Sequence, residues 1–566
     1  MAPGSLLCPN YQFTLSAPSR DPNLLPVPAH ESASRGHGKC PKWTLRLITV
    51  PIDVQRIIMS LLTGKDLSSL MQTCSYFLDI GLPELCLHIP KKPIRSPQHA
   101  ISFYSFLRVG GWPCSRWPLI RALWLTFPMH WGLYSGSPTP CSYEAHMDAL
   151  LGILRHCSHI SRLHIDNWPS DYMGNMSQFL HAIPKSVEDL TIPLSPHMDG
   201  KHLSKLLRRP LRRLAFPVDQ PDVYQIQNPH TSLVLQTLSP TLVEVDRLLL
   251  PRLDTPRGLK GGHRSAHVIA SVRKLGVRMD EWNRGLVETL TAVFPNTTHF
   301  KLWPSPGLLL ASHLSSTLDL RIGDETTPMR EHNCAQWRMH LPAWGASLVS
   351  IWAAQLRDLY CLGVSRHVSC LSVPLCMQSE WSYILPTVLA DMQPGFLELR
   401  LDGLRLGRHV QDSRVPPGLD DPGAPSVNRL AVHFVCAACH SSDTEVILNF
   451  IEQGWGAEMP LTHLLFRYRH TLREPIDFQV LVRDLPFPPD VARSISTTVS
   501  GRLARVAQAF PKLRWFGLDI LGWGLKCWEV SVCPTAPKAS VTLIETSEQS
   551  GRRVVHATQM DMFNNH

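Results

Sequence analysis

Charge is scarce in this sequence. Only 18% of its 566 residues are Asp, Glu, Lys or Arg, below the usual quarter of a soluble domain. The formal net charge of +9 is small for that length and does not by itself ask for a nucleic-acid partner. No apolar run reaches the roughly 20 residues that cross a bilayer, so no membrane span is expected. The opening stretch MAPGSLLCPNYQFTLSAPSR lacks a basic start followed by an apolar run, and no secretory signal is expected from it. The 15 cysteines are scattered singly. An odd number in a long chain fits reduced thiols and a cytoplasmic or nuclear setting. Catalytic signatures are missing too. There is no Gly-x-Ser-x-Gly elbow, no His-Glu-x-x-His and no kinase signature. Gly64-Lys65 lacks the first glycine and the Ser/Thr of a phosphate loop. Cys436-Ala437-Ala438-Cys439-His440 has the spacing of c-type haem attachment, but without an exporting context it reads as structural cysteines. No cofactor and no metal is expected.

Proline, by contrast, is plentiful at 48 residues, so loops should be many. The apolar share of 44% is enough to bury a large core. Residues 1–45, rich in Pro, Ser and Gly, are expected to form a disordered leader. A helical pattern then begins. Pro51 suits a first helical turn, where its missing N–H costs nothing. Val54, Ile58 and Leu62 recur at steps of four, one face of a helix. Gly64 ends that helix, Asp66 begins a second beside its positive end, and a third starts near Cys74. Such a small unit is marginal alone and calls for a partner surface or a role as a cap.

These residues resemble an F-box. The matching positions are Val50, Pro51, Asp53, Val54, Ile58, Leu62, Asp66, Leu67, Leu70, Cys74 and Phe77, in order and without a gap. Val50 stands for the usual Leu, Thr73 for a Val, and Phe77 for a Trp. The resemblance implies that residues 46–90 dock on a Skp-type adaptor and through it on a cullin. It makes Val50, Pro51, Asp53, Val54, Ile58, Leu62, Leu67, Leu70, Cys74 and Phe77 the adaptor-binding set. Residues 91–115 are expected to be a linker.

A second pattern fills the remainder. The motif apolar-x-x-apolar-x-apolar recurs at Ile120/Leu123/Leu125, Ile160/Leu163/Ile165, Val187/Leu190/Ile192, Leu211/Leu214/Phe216, Leu242/Val245 and Val272/Leu275/Val277. Further copies start at Thr297, Leu356, Phe396, Val427, Leu461 and Leu513. Most starts lie roughly 24 to 40 residues apart, the period of stacked repeats. Helical patterns precede several copies, so the unit reads helix, loop, strand. A unit of this kind cannot hide its apolar face alone, and stacking copies buries a continuous core. The stretches 217–232, 251–268, 320–340 and 406–426 read as loops. The basic run from Lys205 to Leu214 reads as a helix end followed by a strand.

This part resembles leucine-rich repeats, without the family's Asn or Cys past the last apolar position. Trp168, Val364, Leu404, Val435 and Leu521 stand there instead. Short Leu-rich strands also occur in other α/β proteins. The expected fold class is therefore α/β: an N-terminal three-helix F-box, then an irregular leucine-rich-repeat-like αβ solenoid over 116–530 and a C-terminal cap or loose tail over 531–566. In such strands the x positions line the open face. They nominate Arg121, Trp124, Arg162, His164, Arg213, Arg273, Lys301, Arg357, Tyr360, Arg400, Arg429, Arg514 and Trp515 as target-binding residues. Arginines and aromatics anchor interfaces, and the basic excess points to an acidic or phosphorylated protein target. The expected function is the substrate-recognition subunit of a cullin-type SCF E3 ubiquitin ligase, a receptor and not an enzyme. The alternative is a non-catalytic scaffold in which the helical module is only a cap. Neither a membrane nor a nucleic acid is an expected partner.

Overall fold

The computed structural model describes residues 50–88, 93–94, 96–108, 116–126, 143–166, 176–194, 198–217, 234, 237–249, 268–278, 286–303, 326–344, 348–375, 384–402, 426–436, 441–452, 459–476, 479–533, 540–560 and 562. The expected leader at 1–45 and most of the loops at 217–232, 251–268 and 406–426 lie outside these residues, as do Ala437–His440. The chain divides into two units, Met1–Leu62 and Thr63–His566.

In the first unit, α1 (Ile52–Leu61) follows Pro51, which sits in an extended conformation at the N-cap. The amide of Gln55 closes the first turn on the Pro51 carbonyl at 3.0 Å. The Gln55 side chain donates to the Val50 carbonyl at 2.6 Å. Gln55 and Met59 are buried, while Ile52, Val54, Ile57 and Leu61 are exposed.

The second unit begins with α2 (Gly64–Met71) and α3 (Ser75–His88). Thr63 caps α2 by accepting from the Asp66 amide, satisfying one of the unpaired N–H groups of the first turn. Gly81 lets the two helices approach: a Cβ there would stand 2.7 Å from Met71 Cγ. The expected linker is partly helical. In α4 (Pro97–Arg108), Ala100 and Leu107 belong to the core, and Phe103, Tyr104 and Phe106 pack against it.

A single open sheet follows: β1 (Ala122–Leu125), β2 (Arg162–Ile165), β3 (Asp189–Thr191), β4 (Arg213–Ala215), β5 (Glu244–Leu249), β6 (Lys274–Arg278), β7 (His299–Trp303), β8 (Ser350–Ala353), β9 (Cys370–Leu375), β10 (Phe396–Asp402), β11 (Arg429–Cys436), β12 (His463–Ile476), β13 (Gln479–Leu485), β14 (Trp515–Ile520), β15 (Gly524–Cys533) and β16 (Ser540–Thr546). Strands lie side by side in chain order except that β14 follows β12 while β13 pairs β12 off that path, and every pair from β1 to β12 is parallel. Parallel neighbours need a crossover. Helices supply it before many strands, among them α5 (Tyr143–His156), α6 (Met176–Ala182), α7 (Gly200–Leu207), α8 (Leu286–Val293), α9 (Thr326–Trp344), α10 (Leu356–Leu362), α11 (Leu385–Met392), α12 (Ser441–Glu452) and α13 (Pro489–Ala509). The basic run at Lys205–Leu214 is the end of α7 followed by β4, as expected.

One contact repeats along the sheet. At a strand start, two successive amides share a single carbonyl of the preceding strand. Ser161 and Arg162 both donate to Arg121 O, at 2.7 and 3.1 Å; Arg514 and Trp515 both donate to Thr462 O, at 2.9 and 3.2 Å. A carbonyl has two lone pairs and can accept both. Side chains of the loops ahead of the strands add a second ladder. Ser186 donates to Ile160 O, Thr241 to Leu211 O, Asn296 to Ala270 O and Ser426 to Pro394 O. Three hydroxyls and one amide thus tie each loop to the one before it.

Three expectations change. The motif at Leu356/Leu359/Cys361 is α10, not a strand, and Gly363 at φ 63° closes it. Apolar residues three apart fit a helix face as well as a strand edge, and the strand lies upstream at β8. The stretch 320–340 holds much of α9, whose Trp337 donates its indole N–H to Leu362 O at 2.9 Å. Past its parallel partners β12 runs on and pairs antiparallel with β13. The tail, expected as a cap or loose, forms β16 and then α14 (Glu548–Ala557), with Ser547 as its cap.

The core is continuous along one sheet face. Leu123, Leu163, Leu190, Leu214, Val245, Leu275, Phe300, Ile351, Leu371, Leu397, Leu430, Leu464 and Phe516 succeed one another there, joined by Leu150, Leu206, Leu290, Leu359 and Leu503 from the helices. Towards the far end aromatics take over, with Phe434 stacked on Tyr468 at 4.4 Å and Phe466 edge-on to Phe516 at 5.4 Å. Phe466→Ala is expected to cost about 3–5 kcal/mol, read as a lower urea midpoint. His146 in α5 is buried, and desolvation pulls its pKa down to about 4. The folded chain therefore binds fewer protons than the unfolded one between pH 4 and 6.5. The contribution of neutral His146 to stability is complete above about pH 6.5 and is lost as pH drops towards 4, by about 2 kcal/mol at pH 5. His146→Gln should flatten that part of the urea-midpoint profile.

Candidate interaction surface

The opposite sheet face carries the polar residues. Register sets them in rows: Arg162, Asp189, Arg213, Glu244, Lys274 and His299 in one, and Trp124, His164, Thr191, Ala215 and Asp246 in the next. Between β5 and β6 the register shifts after Val245, and the second row resumes at Gly276 and runs through Lys301, Trp352, Ser372 and Glu398.

At the β1 end, Asp166 gathers three donors. Trp124 Nε1 lies at 2.9 Å, Thr126 Oγ1 at 2.7 Å, and His164 Nε2 also bonds it. Burial pushes the Asp166 carboxyl up, but these hydrogen bonds and the His164 charge hold it below its ordinary value.

The middle is an arginine–tryptophan stack. Arg247 lies 4.3 Å over Trp303, Trp303 is 4.8 Å from Trp352, and Arg400 lies 4.4 Å over Trp352. Trp303 Nε1 donates to Asp246 Oδ1 at 2.8 Å. Gly276 makes room for that bond, since a Cβ there would stand 2.2 Å from the same oxygen. Beside the stack, Arg213 Nε bonds Glu244 at 3.0 Å, and Lys274 Nζ lies 3.9 Å from it. A hollow of about 110 Å³ opens here, lined by Gly276, Lys301, Ser350, Trp352 and Met562 among others.

Towards β14 the face is covered. Arg467 and Glu398, 1% and 2% exposed, pair at 3.2 Å. Asp519 bonds both Arg467 and Arg469, at 3.4 and 2.7 Å. Burial lowers the Arg467 pKa, and the two carboxylates work against that shift. Burial, then Arg467, Arg469 and Arg400, hold His433 well below its ordinary value, so it is neutral at pH 7. Above this cluster runs the segment from α14 to Met562. Met560 O accepts from Arg467 Nη2 at 3.3 Å, and Thr558 O accepts from Arg429. Val555 and Met560 are buried with Cys370, Phe396, Ala431, Leu465 and Trp515. The face turns apolar where this segment lies on it.

Of the residues nominated from sequence, Trp124, Arg162, His164, Arg213, Lys301, Arg400 and Arg429 share this face. Arg121, Arg273 and Arg514 stand just before strands and are exposed; Arg273 donates to Asn296 O. Arg357 and Tyr360 are on α10 and off the face. Trp515 is on the face but buried beneath the C-terminal segment. Of the nominated cations Arg213 has carboxylate neighbours, and so do Lys274, Arg467 and Arg469, which were not nominated. Sequence reading missed Trp303 and Trp352. The motif itself gave the signal for the two tryptophans, which end or alternate with its apolar positions. Among the adaptor residues, Pro51, Asp53 and Val54 are exposed, and Val50, Ile58 and Leu62 are half-buried in the first unit. In the second, Leu70 and Cys74 are half-buried, while Leu67 and Phe77 are buried and act as core. Among the described residues no group of three His, Cys, Asp or Glu side chains converges to hold a metal, and no helix is long and apolar enough to cross a membrane.

Removing one member of the buried pair strands the other charge. Arg467→Met is expected to cost about 3–5 kcal/mol. Adding Glu398→Gln should recover part of it, the difference read as a coupling energy in a double-mutant cycle. Compared with protein-family models and with curated proteins, the sequence matches none of them.

Proposed function

We propose that this chain is the substrate receptor of a cullin-type SCF E3 ubiquitin ligase. Residues 46–90 act as the F-box that holds a Skp-type adaptor, and 116–530 form a leucine-rich-repeat-like αβ solenoid that holds a protein target on its polar sheet face. The observation that carries the reading is α1. In a helix of 10 residues, Val54, Ile57 and Leu61 share one side and are 42%, 59% and 80% exposed. Exposed apolar side chains at helical spacing mark a docking face. Val54, Ile57 and Leu61 follow Pro51 and Asp53, within the stretch that resembles the F-box. The polar face supports the receptor role through its tryptophans and arginines, the residue types that dominate binding energy. The chain acts by holding two proteins together and not by catalysis.

Adaptor capture tests this. Wild type should co-purify with a Skp-type adaptor. Ile57→Asp with Leu61→Asp should lose it by tenfold or more. Both sites are exposed, so stability should move by about 0.5 kcal/mol or less for each. Retention of the adaptor by the double variant would end the assignment.

A further inference from the structure

On the polar face Arg213 and Lys274 have carboxylate neighbours; at the edge where the strands begin, the cations do not. The shared carbonyls lay that edge out as a row. Arg121, Ser161, Glu188, Arg212, Val243 and Arg273 follow one another, each carbonyl accepting the amide of the next residue named. Arg121, Arg162 and Arg212 are exposed, and so are Lys185 and Arg208 in the loops that lead to β3 and β4. None of these side chains pairs with a carboxylate among the described residues. The half-buried Asp189 and Glu244 are taken by Arg213, at 3.5 and 3.0 Å. Arg209 holds the loops in place, its Nη1 donating to Ile183 O at 2.7 Å and to Pro184 O at 3.2 Å. The loop with Lys185 is thereby tied to the one with Arg208.

Two opposing charges must be counted. Glu188 is the exposed carboxylate of the row. The C-terminal ends of α5, α6 and α7 meet the same loops, and each helix end carries roughly half a negative charge, less than the unpaired cations supply. The edge is positive from β1 to β4, with one negative point at Glu188.

That pattern chooses between polyanions. Strands lie about 4.8 Å apart, so Arg121 and Arg212, three strands from each other, are about 14 Å apart at the backbone, the reach of four extended residues at about 3.4 Å each. A polypeptide can set acidic residues over Arg121, Arg162 and Arg212 and a neutral or basic one over Glu188. A phosphodiester backbone bears a charge at every step and cannot leave that gap. No Trp, Tyr or Phe stands in the row for a base to stack on.

We propose that the strand-start edge from β1 to β4 binds an acidic polypeptide segment whose charges are interrupted by a neutral or basic residue opposite Glu188. As the seat of a ligase target, this edge rests on the receptor reading. The acidic part of the target then meets the unpaired cations of the edge and not the paired rows of the face.

The probe is a fluorescein-labelled, blocked peptide of glutamates with one lysine at its centre. It is titrated against the full chain by anisotropy at low ionic strength, where exposed charges are least screened. Wild type should bind it at least threefold more tightly than an uninterrupted glutamate peptide of equal net charge, and Glu188→Lys should reverse that preference. Arg162→Glu with Arg212→Glu should weaken binding at least tenfold, and Arg121→Glu with Lys185→Glu reads the same edge if the first pair does not fold. Lys512→Glu, exposed ahead of β14, should leave binding unchanged. No binding by wild type, a preference unmoved by Glu188→Lys, an equal loss with Lys512→Glu, or tighter binding of a DNA duplex than of the interrupted peptide overturns the proposal. Adaptor capture reads the receptor role separately. Peptide binding without adaptor capture leaves the edge standing as a binding surface and removes the ligase role; adaptor capture without peptide binding does the reverse.

Discussion

A slip of one residue between neighbouring strands would exchange the two faces of this sheet. What prevents the slip is the shared carbonyl at the strand starts, where two amides of one strand converge on a single oxygen of the strand before. Each new strand is thereby laid in phase with the last. Leu163, Leu190 and Leu214 fall to one side, and Arg162, Asp189 and Arg213 to the other. The side-chain bridges from Ser186, Thr241, Asn296 and Ser426 hold the loops at the same spacing. A buried core along one face and an ionic row along the other are two results of one register.

The ionic row is less basic in effect than in composition. Cross-strand neighbours in a parallel sheet are close, so an arginine placed in phase with a carboxylate pairs with it before any partner arrives. Arg213 between Asp189 and Glu244 is such a case. Arg400 and Arg429 instead give hydrogen bonds to main-chain carbonyls, and Arg400 also supports Trp352. Much of the guanidinium content thus positions aromatics and strands.

The strands were legible where apolar positions follow the two-residue period, as at Leu163/Ile165 and Leu275/Val277. They were misread at Leu356/Leu359/Cys361, because a spacing of three belongs to helices too, and only the later turn at Gly363 decides between them. Of the site, residues within one strand could be read, whereas groupings across strands could not. Trp303 and Asp246 meet over Gly276 across two strand pairings, and nothing local to any of these residues announces it. The C-terminal segment escaped for a different reason. Its apolar residues Val555 and Met560 are few, and they are buried only because Phe396, Leu465 and Trp515 lie far back in the chain.

That separation has a consequence for synthesis. Strands up to β14 can stack as they leave the ribosome, each on its predecessor. Phe396, Leu465 and Trp515 nevertheless stay uncovered until residues beyond Ser547 emerge and cross back over them. A nascent or truncated chain lacking that crossing displays an oily patch and an unshielded Arg467, the marks by which chaperones and proteases distinguish an unfinished protein from a finished one.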